Sequence, residues 1–205
     1  MTKNSVKFLV IATISSLLLT GCGKNEAALK ILPNEIAQAN ECINSNKEFE
    51  SDCYELISYK NSIAMLRSGV IAYSKSNYKE AFQKYSIAQK KGNFYANSLL
   101  ADLYNKGNGV DKNQKKALEL LKDVSDVDGI AAYKLSFYYI IKKDYEEALE
   151  LLTFAGNNNV KKAQYQLSKI YREGSITKED HDKSKFWYEK YEDKSNSLIR
   201  KIYGI

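Results

Sequence analysis

The side chains in this 205-residue sequence best suited to nucleophilic, redox or metal chemistry are three cysteines, Cys22, Cys42 and Cys53, and one histidine, His181. They form no zinc pattern, because such sites need paired Cys or His ligands at short spacing. His181 sits in the acidic run KEDHDKS, which reads as a solvated loop rather than the seat of a general base. Serine and threonine are plentiful, yet no nucleophile elbow or histidine partner accompanies them. Gly107-Asn108-Gly109 joins two helical patterns rather than a strand and a helix, so it makes no phosphate cradle. Carboxylates are scattered at helix-surface spacing. The expectation is therefore no catalytic residue, no metal, no cofactor and no enzyme activity.

The cysteines direct attention to the segments that hold them. Lys3 and Lys7 form a basic start, and the apolar run Phe8 to Leu19 is too short to cross a bilayer comfortably. Leu19-Thr20-Gly21-Cys22 comes next, and it closely resembles the lipobox of bacterial lipoproteins. That resemblance implies a signal peptide over 1–21 and cleavage before Cys22. It also implies acylation of Cys22 on sulfur and amine with palmitate-type chains. The non-acidic Gly23 resembles the sorting pattern for an outer membrane, facing the periplasm; a Gram-positive membrane lipoprotein stays open as an alternative. Three acyl chains would anchor the protein stably, since two signals suffice. With Cys22 occupied, Cys42 and Cys53 are an even pair in an exported chain. A disulfide closing a helical hairpin is expected, worth roughly 2–3 kcal/mol.

Loss of Lys3 and Lys7 with the leader lowers a formal net charge of +6 by two, a balance too mild to argue for nucleic acid. Residues 24–63 carry four lysines against seven acids, whereas residues 160–205 carry eleven basic residues against seven acids. A tether over 22–33 ending at Pro33, a helix capped by Asn34, and a second helix capped by Ser51 or Asp52 are expected. Residues 34–61 would then make an acidic hairpin that caps the first end of a repeat array.

From residue 62 the chain repeats itself. Residues 96–104 read ANSLLADLY, residues 131–139 AAYKLSFYY and residues 163–171 AQYQLSKIY. The anchors Ala96, Ala131 and Ala163 are 35 and 32 residues apart, a period typical of helical solenoids. Small, Leu and Tyr recur at i, i+4 and i+8, on one helix face. Ala101, Ser136 and Ser168 come directly after the leucines and allow close helix approach. Second helices start at Ala81, Ala117, Ala148 and Ser184. Their bulky Tyr85, Leu120, Leu121, Leu151, Leu152, Trp187 and Tyr188 are expected to fill the gaps between repeats. Gly92 and Gly129 stand where helix C-caps are expected.

On these residues the chain resembles the Sel-one-like repeat family, a tetratricopeptide-like group. The second unit matches its pattern at Ala96, Leu100, Tyr104, Gly107, Gly109, Val110, Asp111 and Ala117. The fourth unit matches at Ala163, Leu167, Tyr171, Gly174, Trp187 and Tyr188. The third, with its short turn IIKKDYEEA, is closer to a tetratricopeptide repeat, as is the first. The resemblance implies an all-α fold: a right-handed α-α solenoid of about four units over 62–195, with a C-terminal capping segment over 196–205 closing the last repeat. Some cysteine-rich relatives have been linked with penicillin binding. Their cysteines recur in every repeat, whereas residues 62–205 have none, so that activity is not carried over.

In this family the first helix of each unit lines a concave, protein-binding groove. Carried onto this chain, the lining residues are Arg67, Ile71, Tyr95, Ser98, Asp102, Tyr133, Phe137, Lys162, Tyr165, Lys169 and Arg172. Tyrosine and arginine are frequent interface hot spots. Lys169 and Arg172, three apart on one helix, are expected to face one acidic feature of a partner. The resulting expectation is a membrane-anchored scaffold or adaptor that holds an envelope protein or peptide. The alternative is a periplasmic immunity protein that neutralises a delivered toxin such as a phospholipase.

Overall fold

The computed structural model describes residues 25–44, 48–193, 195 and 197–204, which form eleven helices and no strand. The expected signal peptide and lipidated Cys22 lie outside the described residues. No described helix is long and apolar enough to cross a membrane.

The order is α1 (Glu26–Asn44), α2 (Glu50–Ser58), α3 (Ser62–Ser74), α4 (Tyr78–Lys90), α5 (Tyr95–Lys106) and α6 (Gln114–Lys122). The chain continues through α7 (Gly129–Lys142), α8 (Tyr145–Asn157), α9 (Lys161–Glu173), α10 (His181–Glu192) and α11 (Leu198–Tyr203). The pairs α3–α4, α5–α6, α7–α8 and α9–α10 are antiparallel hairpins, each packed on the next, which makes an α-α solenoid of four units. Helix starts are marked by side chains that accept a free backbone N–H. Asn61 accepts from Ala64 (2.8 Å), Asn113 from Lys116 (2.9 Å) and Asp180 from Lys183 (2.9 Å).

The repeat anchors are core residues. Ala96, Ala131 and Ala163 are fully buried, as are Leu100, Leu135 and Leu167 one turn on. Glycine sets two of the closest approaches. A Cβ on Gly69 would lie 2.6 Å from the Tyr85 ring, so its absence lets α3 and α4 meet. A Cβ on Gly109 would lie 2.4 Å from the Tyr78 carbonyl carbon, which seats the α5–α6 turn on the start of α4.

Several expectations need correction. The helix expected from Asn34 begins instead at Glu26, so most of the 22–33 tether is helical and Pro33 is inside it. The reason is tertiary. Leu32, Ile36, Ala39 and Cys42 form one buried stripe against α2 and α3, while Pro33 faces solvent. Packing of that face outweighs the backbone bond that proline forfeits. The α2 helix starts at Glu50 without the side-chain cap expected from Ser51 or Asp52. Gly129 does not end a helix but opens α7, where a Cβ would lie 2.8 Å from Asn158 Cβ. Trp187 fills its gap against Gly156, but Tyr188 points outward and is 47% exposed. Cys42 and Cys53 are bonded, with Cα atoms 5.6 Å apart, and tie α1 to α2.

The largest departure is α11. It does not close the last repeat. It runs back from the α8–α9 turn, where the Leu198 N–H donates to the Asn159 carbonyl (3.1 Å), and packs on α7 and α3. Ile202 and Tyr203 find no covered site on α10, whose Phe186 and Tyr188 remain about half exposed; against the first helices they are buried.

Candidate functional site

The first helices α3, α5, α7 and α9 carry the residues expected to line the groove. The structure divides these residues into two groups. Those toward the first unit are engaged by the chain itself; those toward the last unit stay open.

Arg67, expected as an accessible groove residue, is 1% exposed. Its guanidinium donates to Asn40 Oδ1 (2.8 Å) on α1, Tyr54 Oη (3.3 Å) on α2, and two carbonyls of α11, Lys201 (2.9 Å) and Ile202 (3.1 Å). Those carbonyls belong to the last turn of a helix, where C=O groups lack intrahelical partners and the dipole is negative. A buried cation is therefore matched by a helix end. Burial pushes the Tyr54 hydroxyl up to about 12, although Arg67 opposes the shift. Gly204 comes next in the left-handed region (φ 76°) and closes the turn of α11 directly over the Arg67 side chain.

Along α5 the Tyr95 carbonyl accepts from the Tyr203 hydroxyl (3.4 Å), and burial pushes the Tyr95 hydroxyl up to about 12. Ser98, also expected in the groove, is fully buried instead. Its hydroxyl donates to Asp128, the N-cap of α7, whose Oδ1 accepts from the Ile130 N–H (2.8 Å). Burial raises Asp128 to about 6, against the pull of these bonds. Lys134 Nζ bridges α7 to α5, donating to Asp102 (2.8 Å) and to the Ser98 carbonyl (2.7 Å). Ser98 and Asp102 thus lock two first helices together. Ile71 is half-buried and packs against the core.

The other end is different. Tyr133 and Phe137 stack edge-to-face at 5.0 Å, with Phe137 38% exposed. Tyr165 is 43% exposed and leans on Tyr191 (5.1 Å). Lys162 and Arg172 are exposed and Lys169 is half-exposed. Arg172 pairs with its neighbour Glu173 (3.2 Å), which already satisfies part of the charge expected to face a partner.

Sequence reasoning missed Asn40, Tyr54, Asp128, Lys134, Ile202 and Tyr203. Only two places left a local signal. Asp128 precedes Gly129 where an N-cap belongs, and Ile202-Tyr203-Gly204 reads as an apolar helix end with its αL glycine. Among the described residues, no group of three or more His, Cys, Asp or Glu could hold a metal ion.

Residues 94–122, 129–160 and 161–191 each match the Sel1 repeat family model. The third unit, expected to be closer to a tetratricopeptide repeat, lies within those matches, so its short turn did not define its class. No curated protein matches the chain. Among solved structures, a Sel1 repeat protein from Oxalobacter formigenes superposes with a TM-score of 0.65 at 22% identity, covering 82% of this chain and 76% of that one. The protein c5321, a protective antigen of uropathogenic Escherichia coli strains with an SLR fold, superposes with a TM-score of 0.59 at 23% identity. That match covers 80% of this chain but 38% of the antigen. Sel1-repeat proteins generally act as protein–protein interaction scaffolds. The stretches that match the Sel1 repeat model thus run from α5 to α10, and the chain is similar in fold to Sel1-repeat proteins.

Proposed function

We propose that this protein is a lipid-anchored interaction scaffold of the bacterial cell envelope, tethered through Cys22 and holding a protein or peptide partner on its inner face. One observation carries the binding part of this reading. The inner face already holds a short peptide segment, α11, through buried Ile202 and Tyr203 and bonds from Arg67 and Tyr203. Beside it, Phe137, Tyr165, Lys162 and Lys169 offer aromatic area and positive charge where residues 160–205 carry their basic excess. Large aromatic side chains with polar tips make efficient contact residues.

The anchor is supported by the Leu19-Thr20-Gly21-Cys22 pattern after an apolar leader. Three measurements test the proposal. Intact mass of the protein expressed with its leader should show a chain that starts at Cys22 and carries acyl groups. Cys22→Ala should move it out of the membrane fraction; retention there overturns the anchor. Chemical cross-linking in cells should trap the same partner with the wild-type chain and lose it with Phe137→Glu/Tyr165→Glu. Unchanged trapping would remove the inner face as the binding surface.

A further inference from the structure

The C-terminal helix makes a more specific reading of the inner face available, and it rests on the scaffold proposal. We propose that the first-unit half of the groove is a receptor for the C-terminal turn of a partner protein's short helix bearing an aliphatic–tyrosine pair. In this proposal α11 is its displaceable internal ligand.

The receptor residues are held by contacts that do not include α11. Arg67 is held by Asn40 and Tyr54, and its guanidinium lies 5.7 Å from the Tyr54 ring centre. Tyr54 is itself fixed by its hydroxyl donating to Glu50 (2.9 Å). Ser98–Asp128 and Lys134–Asp102 join α5 to α7 beneath the groove. None of these contacts involves residues 198–204, so they would hold the binding surface in place for a ligand and lower the entropy lost on binding.

The occupant is poorly suited to be a structural element in its own right. Six residues cannot sustain a helix in water, so α11 is helical because the groove holds it. It enters no repeat hairpin and makes its main helix contacts with α3 and α7. Ile202 and Tyr203 are buried, while Arg200 and Lys201 stay in solvent. Two adjacent buried anchors flanked by exposed basic residues are how a short helical peptide sits on a receptor.

The contacts also specify the ligand. Arg67 donates to two carbonyls of one helical turn, so it selects the C-terminal end of a helix and fixes its direction. The Tyr203 hydroxyl reaches the Tyr95 carbonyl, which favours tyrosine over phenylalanine. Gly204 holds a φ of 76°, so the residue after the tyrosine must be able to adopt positive φ, which glycine does without strain. An external helix with this ending competes with a tethered copy of itself, and the tether sets the threshold that such a partner must exceed.

The test uses the full-length chain. Ile202→Ala/Tyr203→Ala removes both anchors and leaves the receptor residues in place. A labelled peptide of residues 194–205 should bind this variant at least about tenfold more tightly than the wild-type chain, whose own α11 competes. The same peptide with both alanines should bind neither protein. Equal binding to variant and wild type, or no binding to either, overturns the proposal. If the variant fails to fold, hydrogen exchange on the wild-type chain decides. Amides of 198–203 exchanging at least about tenfold faster than those of α5 support a separable ligand. Exchange only at the α5 rate makes α11 part of the core and overturns it. A full-length dimer with α11 exchanged between copies overturns it in favour of a second copy. Should the peptide fail while partner cross-linking through Phe137 and Tyr165 persists, this inference falls and the scaffold reading stands.

Discussion

The two ends of the proposed groove are built in opposite ways. At the first unit, Arg67, Asn40 and Tyr54 are positioned by α1, α2 and α3, desolvated, and aimed at backbone carbonyls. At the last unit, Lys162 is exposed and Tyr165 and Lys169 are about half-exposed on one helix. Buried polar groups must be satisfied, so the first end has one preferred occupant geometry and a large penalty for losing it. Exposed aromatic and cationic side chains tolerate many poses, and each contributes only when a partner covers it. The hairpin α1–α2 causes the difference, because it walls in the first unit while nothing described covers α10.

Arg67→Ala is expected to give the largest effect on this contrast. It strips partners from Asn40, Tyr54 and two carbonyls and leaves a cavity, so urea denaturation should show a loss of about 3 kcal/mol. A loss near that of a surface residue would show that the first end is not preorganised. Reduction of Cys42–Cys53, which closes a loop of sequence separation 11, should lower stability by about 2–3 kcal/mol in the same assay. Its effect should centre on α1–α2 in hydrogen exchange, leaving α9–α10 unchanged.

The pH dependence sharpens the comparison because Asp128 lies beneath the closed half. Burial raises its carboxyl to about 6, above the ordinary value near 4. The folded chain therefore takes up this proton before the unfolded chain does. The destabilising contribution of the buried charge is complete above pH 6 and is relieved as pH falls from about 6 to about 4. Relative to Asp128→Asn, the wild type should gain Tm across that interval; parallel curves would exclude it. Tyr203→Phe should cost about 1 kcal/mol, the net contribution of one hydrogen bond, read from the exchange rates of α11 amides. Smallest of all, Lys169→Glu/Arg172→Glu should shift stability by less than about 0.5 kcal/mol while changing what the open end captures.

Much of the solenoid was legible in the sequence. The Ala96, Ala131 and Ala163 anchors and their leucines are local periodic signals, and each is buried where the pattern puts it. The groove was legible only in outline. Arg67 and Ser98 occupy the right helices and the right register, yet their exposure depends on segments far away in sequence. Arg67 is covered by residues 134 and 135 positions further on, and Ser98 is bonded to a carboxylate 30 residues downstream. No local pattern carries that information. Pro33 misled for a related reason: its local preference argues for a break, while the buried stripe from Leu32 to Cys42 stabilises the helix only once α2 and α3 are present.

By itself, the sequence determined the helices, the period and the small residues that let neighbours approach, because these depend on contacts a few residues apart. It also determined that the basic and aromatic residues gather toward the C-terminal half. The tertiary structure alone decided which groove residues meet solvent. That outcome depends on where a six-residue helix at the end of the chain finds burial for Ile202 and Tyr203, and on a buried guanidinium that needs its carbonyls.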